Sequence, residues 1–377
     1  MKYYLIAGEA SGDLHASNLM KELKKGDAAA QFRCWGGDLM KSQGGDLIKH
    51  YHDLAFMGFT EVLMNISTIK KNIDFCKKDI LAYQPDVLIL VDYPGFNLRI
   101  AEFAHAKRIK IFYYISPQVW AWKQSRVHKI KRIVDKMFVI LPFEKKFYED
   151  FQYEVEYVGH PLLDAVSERN EKKISQSDYS EKHQLSGKPI VALLPGSRKH
   201  EITKMLPIML SVAEKFKEYQ FVIAAAPSVP LSFYESFIKK TNAKIIYNQT
   251  YSLLEQSTAA IVTSGTATLE TALFNIPEVV CYKGSAISFF IARNLVKVKY
   301  ISLVNLIMDK MVVKELIQQE LTVENLQTEL QKLLHDVEYK NTMLAHFTEL
   351  KKLLGDSGAS AKTAHLMLDN LTKQKSI

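Results

Sequence analysis

Short apolar runs alternate with helical patterns along most of the chain. In the first half, six apolar runs predict β-strands, at 3–8, 32–37, 86–93, 110–116, 136–141 and 155–159. Between them lie segments such as LHASNLMKELKK and NLRIAEFAHAK, which have the apolar period of an amphipathic helix. Strands that alternate with helices indicate a parallel sheet with right-handed crossovers. Residues 1–166 are therefore predicted to form a Rossmann-like, doubly wound α/β domain.

A polar stretch then interrupts this pattern. Residues 167–188 have no apolar period and predict a surface linker. The alternation resumes in five runs, which predict a second Rossmann-like domain over 189–350; the runs are 189–196, 221–227, 243–248, 259–265 and 278–284. From about Glu315 the pattern is helical, and 351–377 predicts a helical tail that packs on the N-terminal domain or on a partner subunit. In doubly wound sheets ligands bind at the carboxyl ends of strands, so we expect the two domains to face a central cleft that holds the site.

Charge and cysteine content narrow the class of protein. The 377 residues carry a net charge of +8, which suits an anionic partner. The chain has no Arg/Gly-rich tail and no zinc-like spacing, so we expect no nucleic-acid partner. The three cysteines are scattered singly, which is typical of a reducing cytosol. The N-terminus reads as a strand and not as a signal peptide, and no run approaches the roughly 20 apolar residues that span a bilayer, so any membrane contact is predicted to be peripheral.

Two acidic loops follow predicted strands of the first domain. In IAGEASGDLHA, Ser11 or Asp13 could cap the next helix, or the loop could carry Glu9, Ser11 and Asp13 towards the cleft. In LVDYPGFN, Asp92 ends a strand apolar enough to be buried, and it either caps the next helix or faces the cleft. Burial raises the pKa of a carboxyl group and suits it to accept a proton from a hydroxyl. Asp92, Asp13 and Glu9 are the candidate catalytic residues.

Two loops of the second domain have the form of anion sites. VALLPGSRKHE and IVTSGTATLETAL each end a strand in glycine and hydroxyl residues and then begin a helix. A helix N-terminus offers N–H groups and a positive dipole end, and an arginine adds a charged donor. On neighbouring strands, two such loops indicate a nucleotide-diphosphate site; no P-loop lysine motif is present. The candidate residues are Gly196, Ser197, Arg198, Ser264, Gly265, Thr266 and the ribose-binding candidate Glu270.

Aromatic, basic and apolar segments suggest a surface for an amphiphile. SPQVWAWKQSRVHKIKRI is either an ordinary solvated basic helix or, with its two tryptophans, a site for a phosphorylated lipid or a membrane. The segments 53–66 and 287–308 are either core or an acyl-chain surface. The candidates for acceptor or membrane contact are Trp120, Trp122, Lys123, Arg126, Phe56, Met57, Phe289, Phe290 and Arg293.

Seven motifs together resemble one family. AGEASGD, SPQVWAW, LPFE, GHP, LPGSR, SGTATLE and SLVNL occur in this order, over a match that reaches at least Leu316. The sequence resembles the bacterial lipid-A-disaccharide synthases. The resemblance implies the GT-B fold and an inverting glycosyl transfer that needs no metal and no cofactor. The implied substrates are UDP-2,3-diacylglucosamine and 2,3-diacylglucosamine 1-phosphate (lipid X), and the implied products are the β-1,6-linked disaccharide 1-phosphate and UDP.

The resemblance also carries expectations about place, assembly and residues. It implies a cytoplasmic protein, peripheral at the anionic inner face of the inner membrane, and either a monomer or a homodimer. Residue by residue, it implies a catalytic Asp92, the PGSR arginine Arg198, and Asn305 of the SLxNL motif at the donor site. Gly95 stands where relatives can carry a second aspartate. That difference weakens any proposal in which the other acid is the essential base.

Two other interpretations stay open at this point. A UDP-sugar 2-epimerase of the same fold would share the diphosphate loops but would not need apolar acceptor surfaces. A non-catalytic nucleotide-sugar or membrane-binding protein would bind UDP without turnover. Release of UDP that depends on lipid X separates the transferase from both.

Overall fold

The computed structural model describes residues 1–54, 66–170, 174–239, 241–284 and 298–372. The chain divides into two compact units. The first consists of Met1–Pro161 together with Ser357–Ile377, and the second of Leu162–Asp356. Each unit is built on one parallel sheet with helices, so the predicted α/β class is confirmed.

The first unit has a seven-stranded parallel sheet in the order β3-β2-β1-β4-β5-β6-β7. Its strands are β1 (Lys2–Ala7), β2 (Gln31–Gly36), β3 (Asp46–His50), β4 (Val87–Val91), β5 (Ile111–Tyr114), β6 (Lys136–Val139) and β7 (Glu156–Tyr157). Its helices are α1 (Ala10–Gly26), α2 (Asp38–Ser42), α3 (Ile66–Tyr83), α4 (Pro94–Ala106), α5 (Arg126–Ile133), α6 (Glu144–Glu149) and, at the end of the chain, α16 (Ala359–Thr372). A short 3₁₀ helix spans Tyr51–Leu54.

The second unit has a six-stranded parallel sheet in the order β10-β9-β8-β11-β12-β13. Its strands are β8 (Ile190–Leu194), β9 (Gln220–Ala225), β10 (Lys244–Tyr247), β11 (Ser257–Thr263), β12 (Glu278–Tyr282) and β13 (Lys314–Ile317). Its helices are α7 (Leu162–Asn170), α8 (Gln176–Lys182), α9 (Lys199–Ser211), α10 (Leu231–Ile238), α11 (Thr250–Glu255), α12 (Thr266–Leu273), α13 (Leu303–Met308), α14 (Val323–His335) and α15 (Val337–Leu354). Short 3₁₀ helices span Ala213–Lys215 and Gln318–Glu320.

The central strands are buried on both faces of their sheets. Every residue of β4 and of β8 is buried, which explains why these strands read as continuous apolar runs and not as alternating ones. In the second unit Val191 and Leu193 pack into one core, while Ile190 and Ala192 pack into another on the opposite face. Burial of this kind fixes the strand register, because a shift by one residue would exchange the two faces.

The predicted linker and the predicted C-terminal tail both contain helices that pack on the folded units. The region predicted as a linker, 167–188, contains α8, which Ser175 caps by accepting from the Asp178 N–H at 3.2 Å. Tyr179 of that helix is 1 % exposed and packs with the strands of the second sheet. The last helix, α16, packs on α1 of the first unit, where Leu368 lies against Gly26.

Candidate active site

In each unit the strand order reverses between two neighbouring strands, and the candidate loops follow those strands. In the first unit the reversal lies between β1 and β4, which pair in parallel up to Ala7 and Val91. In the second it lies between β8 and β11, where Leu194 pairs with Val262. The sequence prediction that the two anion loops follow neighbouring strands is therefore confirmed. Loops at such a reversal are where doubly wound sheets bind ligands.

Asp92 is the first residue beyond β4, and the backbone there turns sharply. Asp92 and Tyr93 both have left-handed conformations, with φ of 45° and 49°. Tyr93 occupies the N-cap position of α4, and its side chain makes no capping hydrogen bond. The structure thus offers no support for the alternative in which Asp92 caps this helix. Gly95 is exposed, and a Cβ there would meet nothing within 4 Å.

The surroundings of Asp92 favour a carboxyl group that titrates near neutrality. Burial raises the pKa of Asp92 to about 7; the negative charge of Glu9 contributes, and the Tyr93 N–H opposes. Glu9 follows β1 as the N-cap residue of α1, without a capping side-chain hydrogen bond. The two acids at this reversal point therefore lie close enough to interact. A carboxylate with a pKa near 7 is well suited to general-base catalysis.

Asp13 has a structural role that the sequence did not reveal. It lies inside α1, so it does not cap that helix, and it is 3 % exposed. Its Oδ1 accepts from the backbone N–H groups of Gly37 and Met40 at 2.7 and 3.1 Å, and its Oδ2 accepts from that of Leu39 at 3.1 Å. Asp13 therefore holds the N-terminus of α2. This use of both oxygens argues against the prediction that Asp13 is a catalytic base.

Asp13→Asn is expected to lower stability and leave the chemistry in place. An amide offers one acceptor oxygen and turns an N–H towards a donor, so the part-buried N–H of Leu39 in α2 loses its partner. Such a loss costs about 1–3 kcal/mol of the free energy of unfolding. Urea denaturation measures this loss of stability. Asp38→Asn is the control, because Asp38 is an exposed aspartate of α2 itself. A variant that unfolds like the wild type but turns over far more slowly would restore Asp13 as a catalytic candidate.

The PGSR loop follows β8 and is stabilised by an acid of the next helix. Gly196 has φ of 105°, and a Cβ there would lie 2.5 Å from Oε2 of Glu201. That same Oε2 accepts from the Ser197 N–H at 3.1 Å, and Oε1 accepts from Arg198 at 3.0 Å. The Arg198 side chain is 37 % exposed. Glu201 thus fixes both the loop backbone and the guanidinium, and the glycine is required at the position where the acid folds back.

The SGT loop follows β11 and begins α12. Gly265 is the N-cap residue, no side chain caps the helix, and a Cβ on Gly265 would meet nothing within 4 Å. Ser264 donates to the Ile301 carbonyl at 3.0 Å, while Thr266 is exposed. The first turn of α12 therefore presents backbone N–H groups beside the PGSR loop, as an anion site requires.

Glu270 lies one turn into α12 and is oriented by a tyrosine. The Tyr251 hydroxyl donates to Oε1 of Glu270 at 3.0 Å. Burial raises the pKa of Glu270, and the hydrogen bond from Tyr251 opposes that rise. A half-buried carboxylate held in this way is a suitable acceptor for hydroxyl groups of a sugar.

Asn305 is placed differently from its predicted role in ligand binding. It is 0 % exposed, and its amide is engaged on both sides. Oδ1 accepts from the N–H groups of Val312 and Val313 at 2.7 and 3.0 Å, and Nδ2 donates to the Val313 carbonyl and to Glu315 at 2.8 and 2.9 Å. Glu315 in turn accepts from the backbone at Ile301 and Ser302. Asn305 therefore folds the 301–315 segment, and the prediction of direct donor contact is corrected.

The two tryptophans of the basic segment have opposite environments. Trp120 is 7 % exposed and packs edge-on against Phe143, with ring centroids 5.0 Å apart, so its predicted place on an exposed surface is wrong. Trp122 is 38 % exposed, with the Lys123 ammonium 4.9 Å and the Arg126 guanidinium 5.1 Å from its ring centroid. Helix α5 buries Val127, Ile130 and Ile133 and turns its basic residues outward. The exposed aromatic and basic surface of this segment, here called the Trp122 surface, therefore consists of Trp122, Lys123 and Arg126.

Five other candidates for acceptor or membrane contact lie outside the described residues: Phe56, Met57, Phe289, Phe290 and Arg293. Within the described ranges, no helix is both long enough and apolar enough to cross a membrane.

Comparison with known proteins identifies the family. The family model for lipid-A-disaccharide synthetase matches residues 3–365. The chain belongs to the lipid-A-disaccharide synthase family. The lipid-A-disaccharide synthase of Trichlorobacter lovleyi is 38% identical over 371 residues, which cover 97% of this chain and 96% of that protein. That of Syntrophus aciditrophicus is 38% identical over 376 residues, covering 98% and 97%.

Solved structures with a GT-B-like fold are similar to this chain. The UDP-GlcNAc 2-epimerase of Neisseria meningitidis bound to UDP-GlcNAc aligns with a TM-score of 0.70 over 98% of this chain and 100% of that one, at 14% identity. A glycosyltransferase of kitacinnamycin aligns with a TM-score of 0.64 over 98% of both chains, at 12% identity. At such identities the likeness concerns the fold, and it confirms the predicted GT-B class.

Several residues that hold the candidate groups were not predicted from the sequence. Glu201 and Tyr251 hold Arg198 and Glu270, and Asn97 and Tyr113 contact the main chain of Asp92. Glu201 carried a signal, since an acid three residues after the N-cap commonly folds back on the helix start. The tyrosines carried none, because nothing local to a buried strand or helix indicates which carboxylate it will meet.

Proposed function

We propose that this chain transfers the diacylglucosamine unit of UDP-2,3-diacylglucosamine to the 6-hydroxyl of lipid X. The products are the β-1,6-linked lipid A disaccharide 1-phosphate and UDP. The observation that carries the proposal is that the two units present different chemical groups at the points where their strand order reverses. One reversal point carries a pair of half-buried acids, Asp92 and Glu9, and the other carries two helix N-termini with an arginine.

On the donor side, the PGSR and SGT loops bind the UDP diphosphate. The bond between the sugar C1 and the diphosphate oxygen breaks during transfer, so negative charge grows on the leaving group. Backbone N–H groups at the starts of α9 and α12 and the guanidinium of Arg198 stabilise that charge. Glu201 keeps the guanidinium in place before the reaction, and Glu270 accepts from ribose hydroxyls.

On the acceptor side, Asp92 accepts the proton of the 6-hydroxyl. The oxygen then forms its bond to C1 on the face opposite the departing UDP, which inverts the configuration. The proton moves to Asp92 as the new bond forms, so all atoms are accounted for: disaccharide 1-phosphate, UDP and one proton on the enzyme. Glu9 supports the basicity of Asp92 through its negative charge.

Dependence of UDP release on lipid X tests the proposal against an epimerase. The epimerase likeness is one of fold at 12–14% identity, whereas the family relatives are 34–38% identical. We expect UDP release from UDP-2,3-diacylglucosamine only when lipid X is present. Release of UDP, or an epimerised sugar nucleotide, in the absence of lipid X would contradict the transferase assignment.

The Trp122 surface supports peripheral contact with anionic lipid. Trp122→Ala combined with Arg126→Ala should lower binding to phosphatidylglycerol-rich vesicles several-fold, since each surface cation contributes about 1 kcal/mol near an anionic membrane. Flotation at low and high salt measures the bound fraction, and Arg99→Ala is a matched control because Arg99 is an exposed arginine of the same unit. If the double variant, the control and the wild type bind the vesicles equally, this surface does not contact the membrane.

A further inference from the structure

The turn that presents Asp92 is held through its main chain. The chain leaves β4 with two successive left-handed residues, Asp92 and Tyr93, neither of which is glycine. An aspartate tolerates this conformation moderately well and a tyrosine less so, so neighbouring groups must maintain it. The carbonyl of Asp92 is the point where those groups meet.

Two buried side chains donate to that carbonyl. The Tyr113 hydroxyl, on β5, donates to the Asp92 carbonyl oxygen at 2.6 Å. Nδ2 of Asn97, on α4, donates to the same oxygen at 2.8 Å. Both side chains are 0 % exposed. These donors therefore satisfy a carbonyl that has turned out of the sheet and away from any strand partner.

Asn97 also ties the ends of the two strands at the reversal point. Its Nδ2 lies 3.3 Å from the Val91 carbonyl oxygen of β4 and 3.4 Å from the Ile6 carbonyl oxygen of β1. Glu9 follows β1 and Asp92 follows β4, so the same amide sets the separation of the two loops that carry the acids. The Asp92 N–H donates to the Tyr114 carbonyl at 3.1 Å, which completes the hold on this residue from β5.

Tyr93 is held from the other side. Its ring lies directly over Gly8, where a Cβ would come within 2.3 Å of the ring carbon Cγ. Its hydroxyl donates to the Leu54 carbonyl at 3.1 Å. The second left-handed residue is therefore fixed by packing on the β1 loop, and rotation of the turn would have to break both sets of contacts.

We infer that Asn97 and Tyr113 are positioning residues that fix the turn at Asp92 and so aim its carboxylate. The inference rests on the proposed function, in which Asp92 is the base. A base displaced by about 1 Å can lose as much as 10²-fold in rate, so a hydroxyl that never meets substrate can still control turnover.

Tyr113→Phe is the sharpest test, because it removes one hydroxyl and keeps the buried ring. We expect kcat to fall about 10- to 10²-fold, the scale of a small misplacement, with the KM values for both substrates little changed. The acid limb of the kcat profile should also move to lower pH, as the carboxyl group relaxes towards water. The other ionisable groups near the Asp92 carboxyl group and the Tyr113 hydroxyl are Glu9, Tyr93 and Tyr148, and the variant leaves all three in place. Tyr153→Phe is the matched control, a buried tyrosine of the same unit that donates to the Val134 carbonyl.

A double-mutant cycle with Asp92→Asn separates positioning from general packing. If Tyr113 acts through Asp92, then Tyr113→Phe costs little further rate in the Asp92→Asn background. Asn97→Ser, whose short side chain does not reach the Asp92 carbonyl, should lower kcat in the same way as Tyr113→Phe and is a second, independent test of the positioning role. Additive losses in the cycle, or a Tyr113→Phe variant with wild-type kcat and acid limb, would overturn the inference while Asp92→Asn still shows the base role. Full turnover of Asp92→Asn itself would instead overturn the proposed base, and with it the reason for positioning.

Discussion

Asp92→Asn is expected to lower kcat by roughly 10²–10⁴-fold, the usual scale for loss of a general base. The amide keeps the shape of the side chain and removes its basicity, while the left-handed turn and its donors Asn97 and Tyr113 remain. UDP binding and the thermal midpoint should stay close to those of the wild type. Asp86→Asn is the matched control, because Asp86 is an exposed aspartate just before the opposite end of β4. A variant that melts early yet turns over normally per folded molecule would make Asp92 a structural residue.

The same account predicts a pH dependence. Burial, with the charge of Glu9, raises the pKa of Asp92 to about 7. The base form is the unprotonated one, so log kcat should rise with pH up to about 7 and then level off. In Glu9→Gln the neighbouring charge is absent, and the midpoint should move to lower pH. An acid limb that is unchanged by Glu9→Gln would contradict the proximity of the two acids.

Arg198→Ala is expected to weaken UDP binding and also to slow the transfer step. Negative charge on the diphosphate is larger in the transition state than in the bound substrate, so the guanidinium contributes more to the former. Removal of a donor of this kind raises the barrier by about 2.7–4 kcal/mol, or roughly 10²–10³ in kcat. Steady-state kinetics at saturating substrate measure it.

Two further variants separate the role of the Arg198 guanidinium from general effects on the PGSR loop. Lys199→Ala removes an exposed cation one residue away and should leave kcat unchanged. Glu201→Gln releases the guanidinium and the Ser197 N–H from their acid, so it should weaken UDP binding without abolishing turnover. Arg198→Ala with wild-type turnover at saturation would exclude the leaving-group role.

The hydrophobic pattern predicted every central strand that the structure describes, but only two of the four edge strands, β7 and β10. All eleven apolar runs contain strands; the central strands β4 and β8 are apolar and buried along their whole length, whereas the edge strands β7 and β10 are only partly buried. The strands β3 and β13 were missed, and both lie at an edge of their sheet. Their sequences, DLIKH and KELI, each combine two apolar residues with an acid and a lysine, and KELIQQEL fits the start of a helix equally well. The hydrophobic pattern of so short a segment does not distinguish an edge strand from the start of a helix.

The candidate residues divide by whether their partners are local. The PGSR and SGT loops follow from a strand end and a helix start, which are adjacent in sequence, and the structure has both. Asp13 and Asp92 look alike in sequence, since each belongs to an acidic segment that follows a buried strand. They differ because three N–H donors from residues 37–40 reach Asp13, whereas Glu9 and a left-handed turn surround Asp92. Those contacts depend on the tertiary fold, and no local signal predicts them.

Mass spectrometry of the products after incubation with UDP-2,3-diacylglucosamine and lipid X tests the central claim most directly. The account predicts a new species whose mass is the sum of the two substrates less UDP, the tetra-acyl disaccharide 1-phosphate. It should form with the wild type and the Asp86→Asn control and be nearly absent with Asp92→Asn. Incubation in which both substrates persist although UDP still binds, or in which only an isomer of the sugar nucleotide forms, would contradict the assignment.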